Sequence, residues 1–549
     1  MKKLLAIILA LVTVLSLCAC VKTGAYTDED NKGFLTAEGK TKLTIGVKAD
    51  AMIMDLDNNA LTKWVEETCN VEIEFMEFAG GTDVPTQIST AIAARQELPD
   101  IVIGVDLGDK VLNRYGKDGY IIDLKDYFAD KEGASKVFWD RITTELTEDQ
   151  QRLIITKIQD PVTESIYAVP MVETSLIDKL DSLAWINVEW LDKLGLEKPT
   201  NTEELKTVLK AFKTKDPNGN GMADEIPLYG TNSGMCSNVV SWLINMETYW
   251  NHNRIWMADE NNKIYVPYTT DGYRKGLSLV NELYEEGLLT NMLFSGLEKS
   301  ITTPTNGTAL CGIFLGHLTV HIQNNNPVID QYEPLQTWGY ATRADMSVSK
   351  GTWITESCAE GKRDKAFEVI MTLWSWEGSM RQRYGEFGVN WDMPDEGAMS
   401  DMNLPATYKL FSDPIKMQNT CRWPSMIGLN VYAECETAQL TAESDPFYAK
   451  RIKMHADAYK LFEEAEKSNP TELIARPFTT TAEEQEKVAM ERTNVDDYRS
   501  KCMTDFITGK LDINDDKVWK TYIDTLYEHG LQAVLDYAQD AYDRTARFD

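Results

Sequence analysis

Residues 216–225 read Asp216-Pro217-Asn218-Gly219-Asn220-Gly221-Met222-Ala223-Asp224-Glu225. Side-chain oxygens recur at the first, third and fifth positions, and Gly221 stands sixth. That is the first half of an EF-hand loop, where three short side chains converge on one hard cation and glycine permits the sharp turn. The second half departs. The twelfth position, normally a bidentate Glu, is Pro227, while Asp224 and Glu225 stand ninth and tenth, so the loop must close early. Oxygen-only ligation with three carboxylates suits calcium over a softer metal, in a structural role. A plain Asn-Gly turn after a helix would carry the same residues.

No spacing supports catalysis. The chain lacks a Walker A loop, an H-E-x-x-H pair, a G-x-S-x-G elbow and a dinucleotide fingerprint. Of the five His (His252, His317, His321, His455, His529), only His317 and His321 are four apart, and no Glu lies between them. With 86 Asp and Glu, carboxylate pairs occur everywhere and carry no glycosidase signal. Aromatic residues are the better clue, at 14 Trp and 23 Tyr. Sugar rings present apolar C–H faces that stack on indoles, and their hydroxyls pair with Asn, Asp, Gln and Arg.

The chain opens with Met1-Lys2-Lys3, an apolar run from Leu4 to Leu17, and then Cys18-Ala19-Cys20. A basic start followed by a short apolar run is a secretory signal, too short to span a membrane. Its end resembles the lipobox of bacterial lipoproteins, which implies cleavage before Cys20 and a lipid on that thiol. Net charge over 549 residues is −31; removing Lys2 and Lys3 leaves −33 by subtraction. Such a surface repels nucleic acid and anionic lipid, so neither is expected as a partner. Cys69, Cys236, Cys311, Cys358, Cys421, Cys435 and Cys502 form no C-x-x-C pair and read as buried free thiols.

Short apolar strands alternate with helices. Strands are expected at 42–47, 71–78, 100–105, 167–172 and 183–186. Helices are expected at 61–68, 86–96, 203–214, 270–290 and 360–384. Leu205, Val208, Leu209 and Phe212 share one face of the 203–214 helix. Residues 436–549 are helix-rich and charged. This alternation predicts an α/β protein with mainly parallel sheets.

Six stretches, in order, carry a family resemblance. They are Asp57 to Glu67, Ala93 to Val102 (AARQELPDIV), Tyr115 to Tyr127, Trp185 to Leu196 (WINVEWLDKLGL), Asp216 to Pro227 (DPNGNGMADEIP) and Tyr384 to Trp391 (YGEFGVNW). The chain resembles the family 1 extracellular solute-binding proteins of ABC importers, in the lipoprotein branch that includes alginate-oligosaccharide binders. It departs from the pattern at Asn187-Val188-Glu189 and at Ala93-Ala94-Arg95-Gln96.

The resemblance implies a type II periplasmic-binding-protein-like fold, with two hinge-linked α/β lobes closing over a solute. The expected boundaries are a signal peptide at 1–20, a flexible tether at 21–40, an N-terminal lobe at 41–175 plus 346–400, and a C-terminal lobe at 176–345 plus 401–549 with the helical tail. The implied calcium ligands are Asp216, Asn218, Asn220, the Met222 carbonyl, Asp224 and Glu225. Solute contacts are expected where strands end or the chain crosses between lobes: Trp185, Asn187, Asp55, Asp57, Asn58, Trp242, Trp250, Phe314, His317, Trp338, Trp353 and Trp391. The implied function is capture of an oligosaccharide by a monomer anchored at Cys20 on the outer face of the bacterial membrane, for delivery to ABC permease subunits. A surface glycan-active enzyme and a solute-sensing lipoprotein remain as alternatives.

Overall fold

The computed structural model describes Thr36 and, between 39 and 546, all residues except 52, 54, 80–82, 161, 175–179, 181–182, 233–236, 252–254, 295–308, 319–321, 323–325, 337, 342–345, 412–420, 431–433, 442–443, 445, 470–474, 476–477 and 479. Cys20, Cys236, His252 and His321 lie outside the described residues. The chain divides into two compact units. The first takes the described residues within Met1–Glu173, Val348–Trp391 and Pro414–Val431, and the second those within Thr174–Ser347, Asp392–Asp413 and Tyr432–Asp549.

The first unit is built on a six-stranded sheet in the order Gly428–Asn430, Val169–Glu173, Ser347–Ile354, Ile101–Val102, Thr41–Lys48, Val71–Phe78. Thr41–Lys48 pairs in parallel with Val71–Phe78 and with Ile101–Val102. Parallel neighbours need crossovers, and helices Ala60–Cys69 and Val84–Ala93 supply them. Ser347–Ile354 enters antiparallel, pairing Trp353 with Val102. The Asp100 carboxylate clamps three segments: it accepts from Thr44 N at 2.8 Å and from Lys362 Nζ at 2.6 Å. Gly428–Asn430 pairs in parallel with Val169–Glu173. The segment holding it was expected in the second lobe, because three residues with no alternating pattern give no strand signal.

The helix expected over 360–384 is two helices, Glu360–Trp374 and Trp376–Tyr384. Ser375 separates them. Its extended backbone stops the first helix, and its hydroxyl accepts from Gly378 N at 2.9 Å to cap the second. The helix expected to reach Gln96 ends at Ala93, where Arg95 turns left-handed at φ 54°.

The second unit has a four-stranded sheet in the order Tyr332–Pro334, Ala184–Asn187, Cys311–Leu315, Ile226–Tyr229. It is mixed. Ile226–Tyr229 runs parallel to Cys311–Leu315, while the other two pairings are antiparallel. Helix Thr202–Thr214 buries Leu205, Val208, Leu209 and Phe212, the face its spacing predicted. Helices Pro446–Ser468, Ala489–Ile507, Asp516–Glu528 and Leu531–Ala546 form the expected helical C-terminal region. No helix of the described residues is long and apolar enough to cross a membrane.

Candidate functional site

In the first unit, Thr41–Lys48 and Ile101–Val102 end side by side, and the loops that follow carry polar groups. Open parallel sheets bind ligands at such carboxyl ends. After the first strand, Asp55 accepts from Asn58 N and Asn58 Nδ2, both at 2.9 Å. The Asn58 backbone N–H, then its side chain, hold the Asp55 carboxyl below the ordinary Asp range. Asp55, Asp57 and Asn58 are exposed. Asn59 is buried: it caps helix Ala60–Cys69 and donates from Nδ2 to the Arg422 carbonyl at 2.8 Å.

After the second strand, Asp106 accepts from Gly108 N at 2.8 Å and Lys350 N at 3.2 Å. The buried Lys350 ammonium pairs with Asp109 at 2.5 Å. Gly104 lies so close to Ser425 that a Cβ would meet its Oγ at 1.9 Å. Cys421 Sγ lies 3.9 Å from Asn390 Oδ1 in the turn 385–391. Segment 421–427 thus ties both loops to that turn at one edge of the sheet. Sequence reasoning missed Lys350, Asp106 and this segment, since none lies in a recognisable motif.

The candidate aromatic residues divide. Trp185 is 0% exposed, and its indole donates to the Gly316 carbonyl at 2.8 Å. Asn187 is also 0% exposed. Its oxygen caps Trp190 N at 3.0 Å and its amide donates to Gln331 Oε1 at 3.2 Å. Their expected role as solute contacts does not match the structure, because both are buried and their polar atoms already bind protein. Phe314, Trp242, Trp250, Trp353 and Trp391 are buried too. Trp250 packs edge-on against Tyr273 at 5.0 Å, Trp353 donates to the Val105 carbonyl and Trp391 to the Gly385 carbonyl. Only Trp338 and His317 keep part of their surface. Trp338 donates to Thr202 Oγ1 at 3.3 Å and meets Trp242 edge-on. His317 lies against His455 at 5.8 Å.

The 216–225 loop, in the second unit, joins helix Thr202–Thr214 to strand Ile226–Tyr229. Asp216 accepts from Asn220 N at 3.1 Å and Gly221 N at 2.9 Å. Asn218 and Asn220 both donate to Asp224. Glu225 Oε1 is buried without a hydrogen-bond partner among the described residues. Burial first, then the Asp216 and Asp224 carboxylates, push the Glu225 carboxyl above the ordinary Glu range. An orphaned oxygen beside two further carboxylates fits a cation. Among the described residues no three His, Cys, Asp or Glu converge to hold a metal by themselves, so an ion here would also need the Asn218 and Asn220 oxygens and the Met222 carbonyl.

No family model matches the chain. The fructooligosaccharide ABC-transporter substrate-binding protein FusA of Streptococcus pneumoniae is 27% identical over 292 residues, 52% of either chain. The chain thus spans about half the length of this curated relative in the match. FusA solved with kestose superposes over 93% of this chain and 100% of its own, with a TM-score of 0.71 at 20% identity. An EF-hand mutant of FusA superposes equally well. The alginate-binding protein AlgQ2, solved without calcium, covers 91% of this chain and 98% of its own, with a TM-score of 0.62 at 19% identity. The fold is that of a type II solute-binding protein. The resemblance to solute-binding proteins of ABC importers is borne out by the FusA sequence match, AlgQ2 shares the fold, and these relatives are named as binding proteins rather than enzymes.

Proposed function

We propose that this chain is an extracellular solute-binding lipoprotein that captures an oligosaccharide and hands it, unchanged, to an ABC-transporter permease. The observation that carries the reading is its likeness to FusA, in fold over 93% of the chain and in sequence over half of it. The exposed Asp55, Asp57 and Asn58 suit sugar hydroxyls, since charged and amide oxygens accept from O–H groups. The protein acts as a monomer, anchored on the outer face of the membrane by a lipid on Cys20.

Calcium fits as a structural ion. Asp216, Asn218, Asn220, the Met222 carbonyl, Asp224 and Glu225 would hold it. Bound calcium neutralises carboxylates that otherwise repel one another and ties helix Thr202–Thr214 to the start of strand Ile226–Tyr229. It has no part in any reaction.

A melting screen against kestose, lacto-N-tetraose and an alginate trisaccharide tests the reading. A sugar at 100 times its Kd adds about 2.7 kcal/mol of stability, and chromatography should recover that sugar intact. Shortened sugars after incubation would make the protein an enzyme and overturn the proposal.

A further inference from the structure

We propose that Phe387 is a sugar-stacking residue, presented by the turn 385–391 at the carboxyl edge of the first unit's sheet. The inference rests on the oligosaccharide reading and names one contact within it. The late motif YGEFGVNW drew attention to Trp391, but Trp391 is buried and its indole N–H is bound to the Gly385 carbonyl at 2.9 Å. The ring the turn offers to solvent is Phe387, 43% exposed beside Val389 at 60%.

An exposed Phe on a loose loop would carry no inference. This turn is braced on both sides of Phe387. Gly388 N donates to the Trp391 carbonyl at 2.7 Å, and Asn390 N to the Glu386 carbonyl at 2.8 Å. The Asn390 side chain accepts from Glu386 N at 2.8 Å. Gly385, at φ 86°, lies so close to Asn390 that a Cβ would meet its Oδ1 at 2.6 Å. The rings below are braced as well: Phe387 meets Trp391 edge to face at 4.9 Å, and Trp391 meets Trp376 in the same way at 5.6 Å.

Edge-to-face contact steadies a ring while using little of its surface, and among the described residues no aromatic ring lies flat on Phe387. A rigid aromatic with an uncovered surface costs little conformational entropy when a ligand stacks on it. Segment 421–427 links this turn to the loop bearing Asp55, Asp57 and Asn58, so acceptors for hydroxyls lie on the same edge of the same unit. Stacking plus hydroxyl acceptors suits a neutral sugar ring. The acidic groups there (Asp55, Asp57, Glu386) disfavour an anionic one.

The test is calorimetric titration of wild type, Phe387→Ala, Phe387→Leu and Phe387→Trp with whichever of kestose, lacto-N-tetraose or alginate trisaccharide shifts the wild-type melting temperature most. Leu keeps apolar contact with Trp391 but has no ring, so a folded variant lacking the ring is in hand even if Ala disturbs the turn. Loss of the ring should weaken binding on the order of tenfold to a hundredfold, as expected for one buried aromatic contact. The Trp variant should bind as well as wild type. Wild-type affinity in Phe387→Leu overturns this proposal alone. No response of the wild type to any of the three sugars overturns the oligosaccharide reading and this proposal with it.

Discussion

The indole of Trp185 spends its only polar atom on the Gly316 carbonyl, and its rings lie among Phe314 and His455. Such a residue serves the core. Trp185→Ala should therefore cost about 3–5 kcal/mol of stability, read as a lowered denaturation midpoint. Asp57→Ala, at an exposed position, should change stability by less than about 0.5 kcal/mol while weakening sugar binding. Near-wild-type stability of the Trp185 variant would contradict the packing seen here. The cysteines follow the same logic. Cys69, Cys311, Cys358, Cys435 and Cys502 are buried. Burial, with Asp100 nearby, pushes the Cys358 thiol up to about 12, far from the thiolate that reacts. A thiol reagent should label the partly exposed Cys421 ahead of these five in native protein, and a reductant should leave the melting temperature unchanged.

At the scale of elements, short polar side chains decide where helices stop and how loops close. Ser375 splits a run that hydrophobic spacing alone makes continuous. Glu484 belongs to a capping box with Thr481 at the start of helix Ala482–Lys487, and it also accepts from Arg544 of helix Leu531–Ala546. The Arg544 guanidinium holds its carboxyl below the ordinary Glu value of 4.5. A lowered folded value means that this stabilisation is fully present above 4.5 and is lost as pH falls through the folded value. The melting-temperature advantage of wild type over Glu484→Gln should hold at neutral pH and vanish in acid. An advantage that persists in strong acid would assign the effect to packing.

The calcium loop is tested at the same scale. Chelation should lower the melting temperature without unfolding the protein. Asp216→Ala should abolish the response to added calcium, although it also removes two backbone hydrogen bonds and so weakens the calcium-free loop. A full calcium response in that variant, or no calcium in the purified protein after calcium dialysis, would exclude the ion from this loop.

At the scale of the whole molecule, two α/β units arise from a chain that passes between them repeatedly. The net charge of −31 sets such a body against anionic lipid headgroups, and on the proposed reading it is the lipid on Cys20 that holds it at the membrane. Cys20→Ala should release the protein into the medium, as fractionation would reveal, and a variant still retained with the cells would show that something else holds it.

Local pattern alone determined much of this. Val71–Phe78 and Thr202–Thr214 were legible because each buries mainly one periodic face, and an apolar period of two or 3.6 residues leaves few alternatives. Thr41–Lys48, buried on both faces at Ile45, Gly46 and Val47, was legible as a short run of β-forming residues. The 216–225 loop was legible because its oxygens are neighbours in sequence. Other features depend on residues far apart in the chain. Gly428–Asn430 becomes a strand only because Val169–Glu173 offers an open edge. Lys350 reaches Asp109 only through the antiparallel entry of its strand. Trp391 and Phe387 read alike as aromatic residues of one turn, and tertiary packing alone decides that one is buried while the other faces solvent. Composition records how many rings a chain has, but exposure depends on what the rest of the chain places over each of them.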